Sequence, residues 1–173
     1  GRPLYTIGIA QNVTEMKRAQ EALHSTNRRL SDIIDFLPDP TFVVDDEGRI
    51  IAWNRALESF SGIAKEDAIG KADYEYSLFL YGERRPILVD HVLHPDMEAS
   101  RYYPALRRED EALIAEVFAP GLGAAGAYVW GKASALHDSE GNIVGAIESM
   151  RDITQRKKDE EALRRSEERL YLA

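Results

Sequence analysis

The two ends of this 173-residue chain repeat each other, and that repeat constrains the fold more than any other feature. Asn12-Val13-Thr14 returns as Asp152-Ile153-Thr154, Glu21-Ala22-Leu23 as Glu161-Ala162-Leu163, and Arg29-Leu30 as Arg169-Leu170, all at an offset of 140 residues. Ile7 falls on Ile147, where both copies read as strand. The repeating unit is a strand, an Asx-hydrophobic-Thr step and a charged helix, so one domain is expected between two helices of the same kind. Thr14 and Thr154 suit a helix N-cap, where the hydroxyl accepts from an orphaned backbone N–H of the first turn; the other reading is that each threonine ends a strand.

After Thr14, Met16, Leu23, Leu30 and Leu37 recur every seven residues, with Ala19, Thr26 and Ile33 three positions later in each heptad. Charged and polar residues fill the positions between, which leaves the narrow apolar seam of a two-stranded coiled coil. A homodimer through this helix is expected; the alternative is a single amphipathic helix folded back on its own domain. The second copy keeps Leu163 and Leu170 but has Arg156 and Asp159 at the first two seam positions.

Between the helices, Pro38-Asp39-Pro40 stops the first helix, because proline lacks a donor and disfavours helix at the residue before it. A hairpin follows, Phe42–Asp45 and Arg49–Trp53 about a turn at Asp46-Glu47-Gly48. Asn54 caps a helix to Phe60 that ends at Gly62, and a helical turn from Lys65 to Ile69 ends at Gly70. Pro86 reads as a first-turn residue of a helix carrying Ile87, Leu88, His91 and Val92 on one side. Leu106–Asp110 is a charged approach to three strands, Ala112–Phe118, Ala127–Leu136 and Ile143–Arg151, with Asp138–Asn142 a hairpin turn. The order predicts an α+β fold with a five-stranded antiparallel sheet and short helices on one face, flanked by linker helices.

Composition removes several classes. A net charge of −8 argues against a nucleic-acid partner. The chain has no cysteine, so disulfides, thiolate metal sites and a cysteine nucleophile are out, and a reducing cytoplasm fits. No apolar run approaches a bilayer span, and the first residues lack a signal peptide's apolar stretch, so no membrane insertion is expected. A start without methionine, inside an apparent strand, points to a piece of a longer protein. Gly121 to Gly126 matches dinucleotide-fingerprint spacing, but it joins two strands with no helix after it.

Arg84 and Arg85 lie near Tyr74, Tyr76 and Tyr81, a grouping able to take a carboxylate or phosphate. The alternative is that the arginines pair with Glu75, Glu83 or Asp90. Trp53 and Trp130 read as packing residues, Trp130 also as a candidate ligand contact.

Leu37-Pro38-Asp39-Pro40, Asp45 to Ile50, Trp53-Asn54, Gly70-Lys71, Asp138 to Asn142 and Gly145 to Thr154 together resemble the PAS domain family with its C-terminal PAC-type motif. The similarity is strongest to multi-PAS sensor histidine kinases of archaea and bacteria, and Asp73 to Pro86 with Tyr128 to Gly131 is similar to a subgroup common in methanogens. It divides the chain into a preceding PAS domain's tail strand (1–13), a linker helix (14–37), a PAS domain (38–154) and an output linker helix (155–173).

The resemblance implies a non-catalytic regulatory module of a two-component system, joined to further PAS and kinase domains. Asp152 and Thr154, and in the first copy Asn12 and Thr14, would couple sheet to helix. A ligand-free scaffold for dimerisation and spacing is the alternative. None of the four histidines sits in a phosphoacceptor helix; His24 lacks the acidic residue that normally follows such a histidine. No cofactor is identified: adduct-forming flavin PAS domains need a cysteine, and His91 and His94 match the region of a haem ligand without a haem motif.

Overall fold

The computed structural model describes residues 5–172, with side chains from residue 12 onward. Helix α1 (Tyr5–Asp35) leads into β1 (Thr41–Asp45) and β2 (Ile50–Trp53). Four short helices follow: α2 (Arg55–Ser61), α3 (Lys65–Ala68), α4 (Leu78–Tyr81, entered through a 3-10 turn at Glu75–Ser77) and α5 (Leu88–Leu93). Strands β3 (Arg107–Glu109), β4 (Ala112–Ala119), β5 (Ala127–His137) and β6 (Ile143–Asp152) precede α6 (Thr154–Tyr171).

The strands form one antiparallel sheet in the order β2-β1-β6-β5-β4-β3. It has six strands among the described residues where five were expected. The addition is β3, whose charged sequence hid a hairpin partner for β4; the two-residue turn puts Asp110 at φ 51°, which aspartate tolerates better than most side chains. The first and last long strands, β1 and β6, are neighbours, with Phe42 opposite Glu148. The exit of α1 and the start of α6 therefore share one corner of the sheet.

Alternation along β5 turns Ala127, Val129, Gly131 and Ala133 to the core and Tyr128, Trp130 and Lys132 to the outer face. Helix α5 lies across the inner face, and Gly131 makes room for it: a Cβ there would meet Leu88 Cδ1 at 3.0 Å and Glu148 Oε1 at 3.3 Å. Phe42, Trp53, Tyr76 and Phe79 fill the space between sheet and helices, with Phe42 stacked on Tyr76 at 5.2 Å. Trp53 donates its indole N–H to the Ile63 carbonyl.

Local turn chemistry follows the sequence. Asp45 Oδ1 accepts from Glu47 and Arg49 N–H, and Asp138 Oδ1 accepts from Glu140 and Asn142 N–H, the same aspartate-led turn in both hairpins. Asn54 caps α2 through Leu57 N–H, and Gly62 ends it at φ 75°. Helix α5 begins at Leu88, two residues past Pro86, because the Asp90 carboxylate takes the Ile87 N–H and sets the first turn there.

Three expectations for the first linker are corrected. Residues 5–13 are helical, and residues 1–4 of the expected tail strand lie outside the described residues. Helix lets the backbone groups of this segment bond internally, without a strand partner. Asn12 and Thr14 therefore sit inside α1, and Thr14 is no N-cap. Leu37 leaves the seam, because α1 ends at Asp35 and the Leu37 carbonyl accepts from Asn54 Nδ2. The remaining seam residues, Met16, Leu23, Leu30 and Ile33, are 54–68 % exposed, so the stripe is not folded onto its own domain.

Helix α6 buries no side chain. Its surface pairs, Arg156–Glu160, Arg164–Glu168 and Arg165–Glu161, are exposed to solvent and contribute little, so it leans on its attachment to the sheet. No helix among the described residues is long and apolar enough to cross a membrane.

Candidate functional site

The corner where α6 leaves the sheet is held from three strands. Asp152 ends β6 opposite Val129. Its Oδ1 accepts the Thr154 N–H at 2.8 Å, so the aspartate caps the start of α6. The Thr154 hydroxyl instead accepts the Tyr128 N–H from β5 at 2.9 Å, and Ile153 N–H donates to the Tyr128 carbonyl at 2.8 Å. Both backbone groups of Tyr128 are thus held by the two residues that follow Asp152. The expected threonine cap is corrected accordingly: the hydroxyl ties the helix to the sheet and the preceding carboxylate does the capping.

Glu116 on β4 adds the third attachment. Its carboxylate meets Arg156 at 2.6 Å and Lys157 at 2.6 Å in the first turn of α6. The hydrogen bond from Lys157, joined by that from Arg156, holds the Glu116 carboxyl below its ordinary pKa.

The incoming chain is fixed at the same corner. Arg151 grips Asp39 through Nε at 3.0 and 2.9 Å and Nη2 at 2.7 Å, and lies over the Trp130 ring at 5.3 Å. Met150 N–H donates to the Pro40 carbonyl at 2.9 Å. Asn54, fully buried, accepts from Thr41 and Leu57 N–H and donates to the Leu37 and Asp39 carbonyls. One asparagine thereby satisfies four backbone groups at the exit from α1.

The expected ligand residues do not converge. Arg84 pairs with Glu75, the alternative weighed from sequence. Tyr74 and Tyr76 border a recess of about 140 Å³ beside Glu47, Asp73 and Asp90, an acidic setting that repels anions. The Tyr76 hydroxyl donates to Asp90 Oδ1 at 2.6 Å, and burial, then Asp90's charge, raises its pKa. Trp130 lies on the outer sheet face, away from the interior, because its position in β5 alternates with buried Val129 and Gly131. Tyr81 and Arg85 stay together: the guanidinium carbon sits 3.6 Å from the Tyr81 ring centre and 4.9 Å from that of Tyr102.

His91 is buried, packed against Tyr103 and Tyr102, and neither ring nitrogen has a hydrogen-bond partner among the described residues. Desolvation lowers its pKa, with the nearby Met97 backbone opposing. The adjoining recess measures about 150 Å³, against roughly 300–1,000 Å³ for ordinary small-molecule pockets, and does not fit a haem.

Two buried acids escaped the sequence reading. Glu148 points from β6 into the core and accepts the Val89 N–H at 3.1 Å; desolvation, with Asp90's charge adding, pushes its pKa up to about 8. Asp90 is also raised, by burial, against the hydrogen bonds from Ile87 and Tyr76. The parity of β6 was the available signal, since Glu148 shares a face with Ala146 and Met150.

A family model described as PAS fold matches residues 34–158. Phytochrome B of Arabidopsis thaliana is 27 % identical over 158 residues, which cover 87 % of this chain and only 12 % of that protein. The PAS domain of BvgS from Bordetella pertussis superposes with a TM-score of 0.51 at 23 % identity, covering 84 % of this chain and 98 % of that one. An RNA-binding light-oxygen-voltage receptor superposes with a TM-score of 0.58 at 15 % identity, covering 83 % and 38 %. With the match to the family model spanning most of its length and the sheet and helices arranged as described, the chain belongs to the PAS fold family of sensory and signalling domains.

Proposed function

We propose that this domain transmits a signal within a longer protein of the sensor histidine kinase kind, passing changes in its sheet to α6 through Asp152-Ile153-Thr154. Two chains pair through the stripe of Met16, Leu23, Leu30 and Ile33, so a change in α6 is delivered to a dimeric effector on the cytoplasmic side. The observation that carries this is the double hold on Tyr128, joined by the Glu116 bridge to Arg156 and Lys157. A helix with no buried residue of its own takes its direction from such attachments.

The absence of native cysteine makes the test clean. Leu163→Cys, alone or with Thr154→Val and Glu116→Gln, is oxidised to give a crosslink between the α6 helices of the dimer. The yield changes when the attachments are removed; an unchanged yield in a folded dimer sinks the proposal. The packed interior around Phe42, Trp53, Tyr76 and Phe79 favours a second reading, a ligand-free spacer. Native mass spectrometry of the purified protein separates them, a retained small molecule counting against the spacer.

A further inference from the structure

With the interior filled, the ligand question moves to the sheet's edge. Pairing between β3 and β4 stops at Arg107 opposite Ile114, while β4 runs on to Ala119. Beyond Ile114 no strand among the described residues lies beside that edge. A recess of about 480 Å³ opens there, within the roughly 300–1,000 Å³ range of small-molecule sites. Its wall combines the Tyr81–Arg85–Tyr102 stack with Pro104, Val117 and Phe118.

Arg85 is the unusual element. Arg84 beside it has a carboxylate, Glu75, whereas the Arg85 guanidinium is gripped by ring faces and its buried Nε–H meets no acceptor among the described residues. Its backbone N–H is taken by Ser77 Oγ at 3.0 Å, which fixes where the side chain begins. Burial raises the Tyr81 phenol's pKa and the Arg85 charge opposes that rise, as expected for a cation against the ring. Glu83 and Glu116 also line the recess; Arg156 and Lys157 engage Glu116, which leaves Glu83 as the lining acid without such a cation pair beside Arg85.

We propose that this recess binds a small organic carboxylate, its carboxylate on the Arg85 guanidinium and its apolar body against Pro104, Val117 and Phe118. A planar fork held between aromatic faces suits two-point recognition of a carboxylate, and the apolar wall disfavours a bare inorganic anion. Because Glu116 belongs to the wall, an occupant also borders the bridge that holds α6. That link to α6 rests on the transmission reading; the binding itself does not.

Calorimetric titration with phenylacetate, inorganic phosphate and phenethylamine tests the site. Phenylacetate binds in the micromolar to millimolar range, Arg85→Gln weakens it about tenfold or more, and Arg85→Lys falls between, as expected when a charge-assisted fork is lost. Circular dichroism confirms that each variant folds; the Lys variant carries the comparison if the Gln variant does not. No phenylacetate binding, equal binding by parent and Arg85→Gln, or phosphate or phenethylamine binding as tightly as phenylacetate overturns the proposal. Binding that leaves the α6 crosslink unchanged upholds the site and counts against transmission from it.

Discussion

Glutamine in place of Glu148 should stabilise the domain, and more so as the pH rises. Glu148 is 3 % exposed in the middle of the sheet, and its pKa climbs from 4.5 to about 8. A folded pKa above the unfolded one means that the protonated acid's contribution is complete below about pH 4.5 and is lost as the pH rises through about 8. His91 acts in the opposite sense: its folded pKa lies below 6.5, so its penalty develops only as the pH falls below that value. The interval from pH 6.5 to 8 therefore lies above the range in which His91 acts and below the folded value of Glu148. Over about 1.5 pH units, at about 1.4 kcal/mol per unit, the parent loses about 2 kcal/mol, or roughly 6 °C in Tm for a domain of this size.

Glu148→Gln keeps an acceptor for the Val89 N–H and removes the ionisation. Its advantage over the parent should be about 2 kcal/mol larger at pH 8 than at pH 6.5. Urea unfolding followed by the fluorescence of buried Trp53 measures this. A parent whose stability is level across the interval, or a variant with the parent's slope, refutes the reasoning.

Asn54→Ala removes the side-chain partner of the Thr41 N–H and the Leu37 carbonyl, while the Leu57 N–H keeps the residue-54 carbonyl and the Asp39 carbonyl keeps the Thr41 hydroxyl. It should cost about 1–3 kcal/mol in urea unfolding, and Asn54→Asp, which retains the accepting half, should cost less. Thr154→Val removes the acceptor for the Tyr128 N–H; a loss of about 1 kcal/mol should speed exchange of that amide about fivefold, read by NMR hydrogen exchange. Asp39→Ala should leave stability nearly unchanged, because Arg151 is exposed, yet broaden the distance distribution between spin labels on α1 and α6. Leu23→Lys with Leu30→Lys should turn a dimer into a monomer by sedimentation, as charges on a coiled-coil seam do.

Local chemistry was legible where one residue decides it. The cap bond of Asn54, the helix end at Gly62 and the turns led by Asp45 and Asp138 are what those residue types imply, because each is made within a few residues. The strands of the C-terminal meander also emerge within a residue of their expected ends. What stayed hidden depended on partners far away in the chain. The repeat led Thr14 and Thr154 to be read alike, yet Thr154 has Tyr128 to hold and the stretch around Thr14 is continuous helix. Glu148 and Glu116 looked like ordinary strand polar residues; one faces the core and the other faces Lys157 only once β4, β5 and β6 are aligned. The tyrosines and arginines between Tyr74 and Arg85 are close in sequence, but the loop between α4 and α5 sends Arg84 to Glu75 and Arg85 to Tyr81, while the 3-10 turn directs Tyr76 to Asp90.

The central claim is that attachment at Tyr128 and Glu116 sets the direction of α6. Its most direct test is pulsed electron spin resonance with a spin label at position 163 on each chain of the proposed dimer, in the parent and in the Thr154→Val/Glu116→Gln variant. The account predicts one narrow distance distribution in the parent and a shifted or broadened one in the variant, with the sheet's amide exchange otherwise preserved. Identical distributions in the two proteins would contradict it.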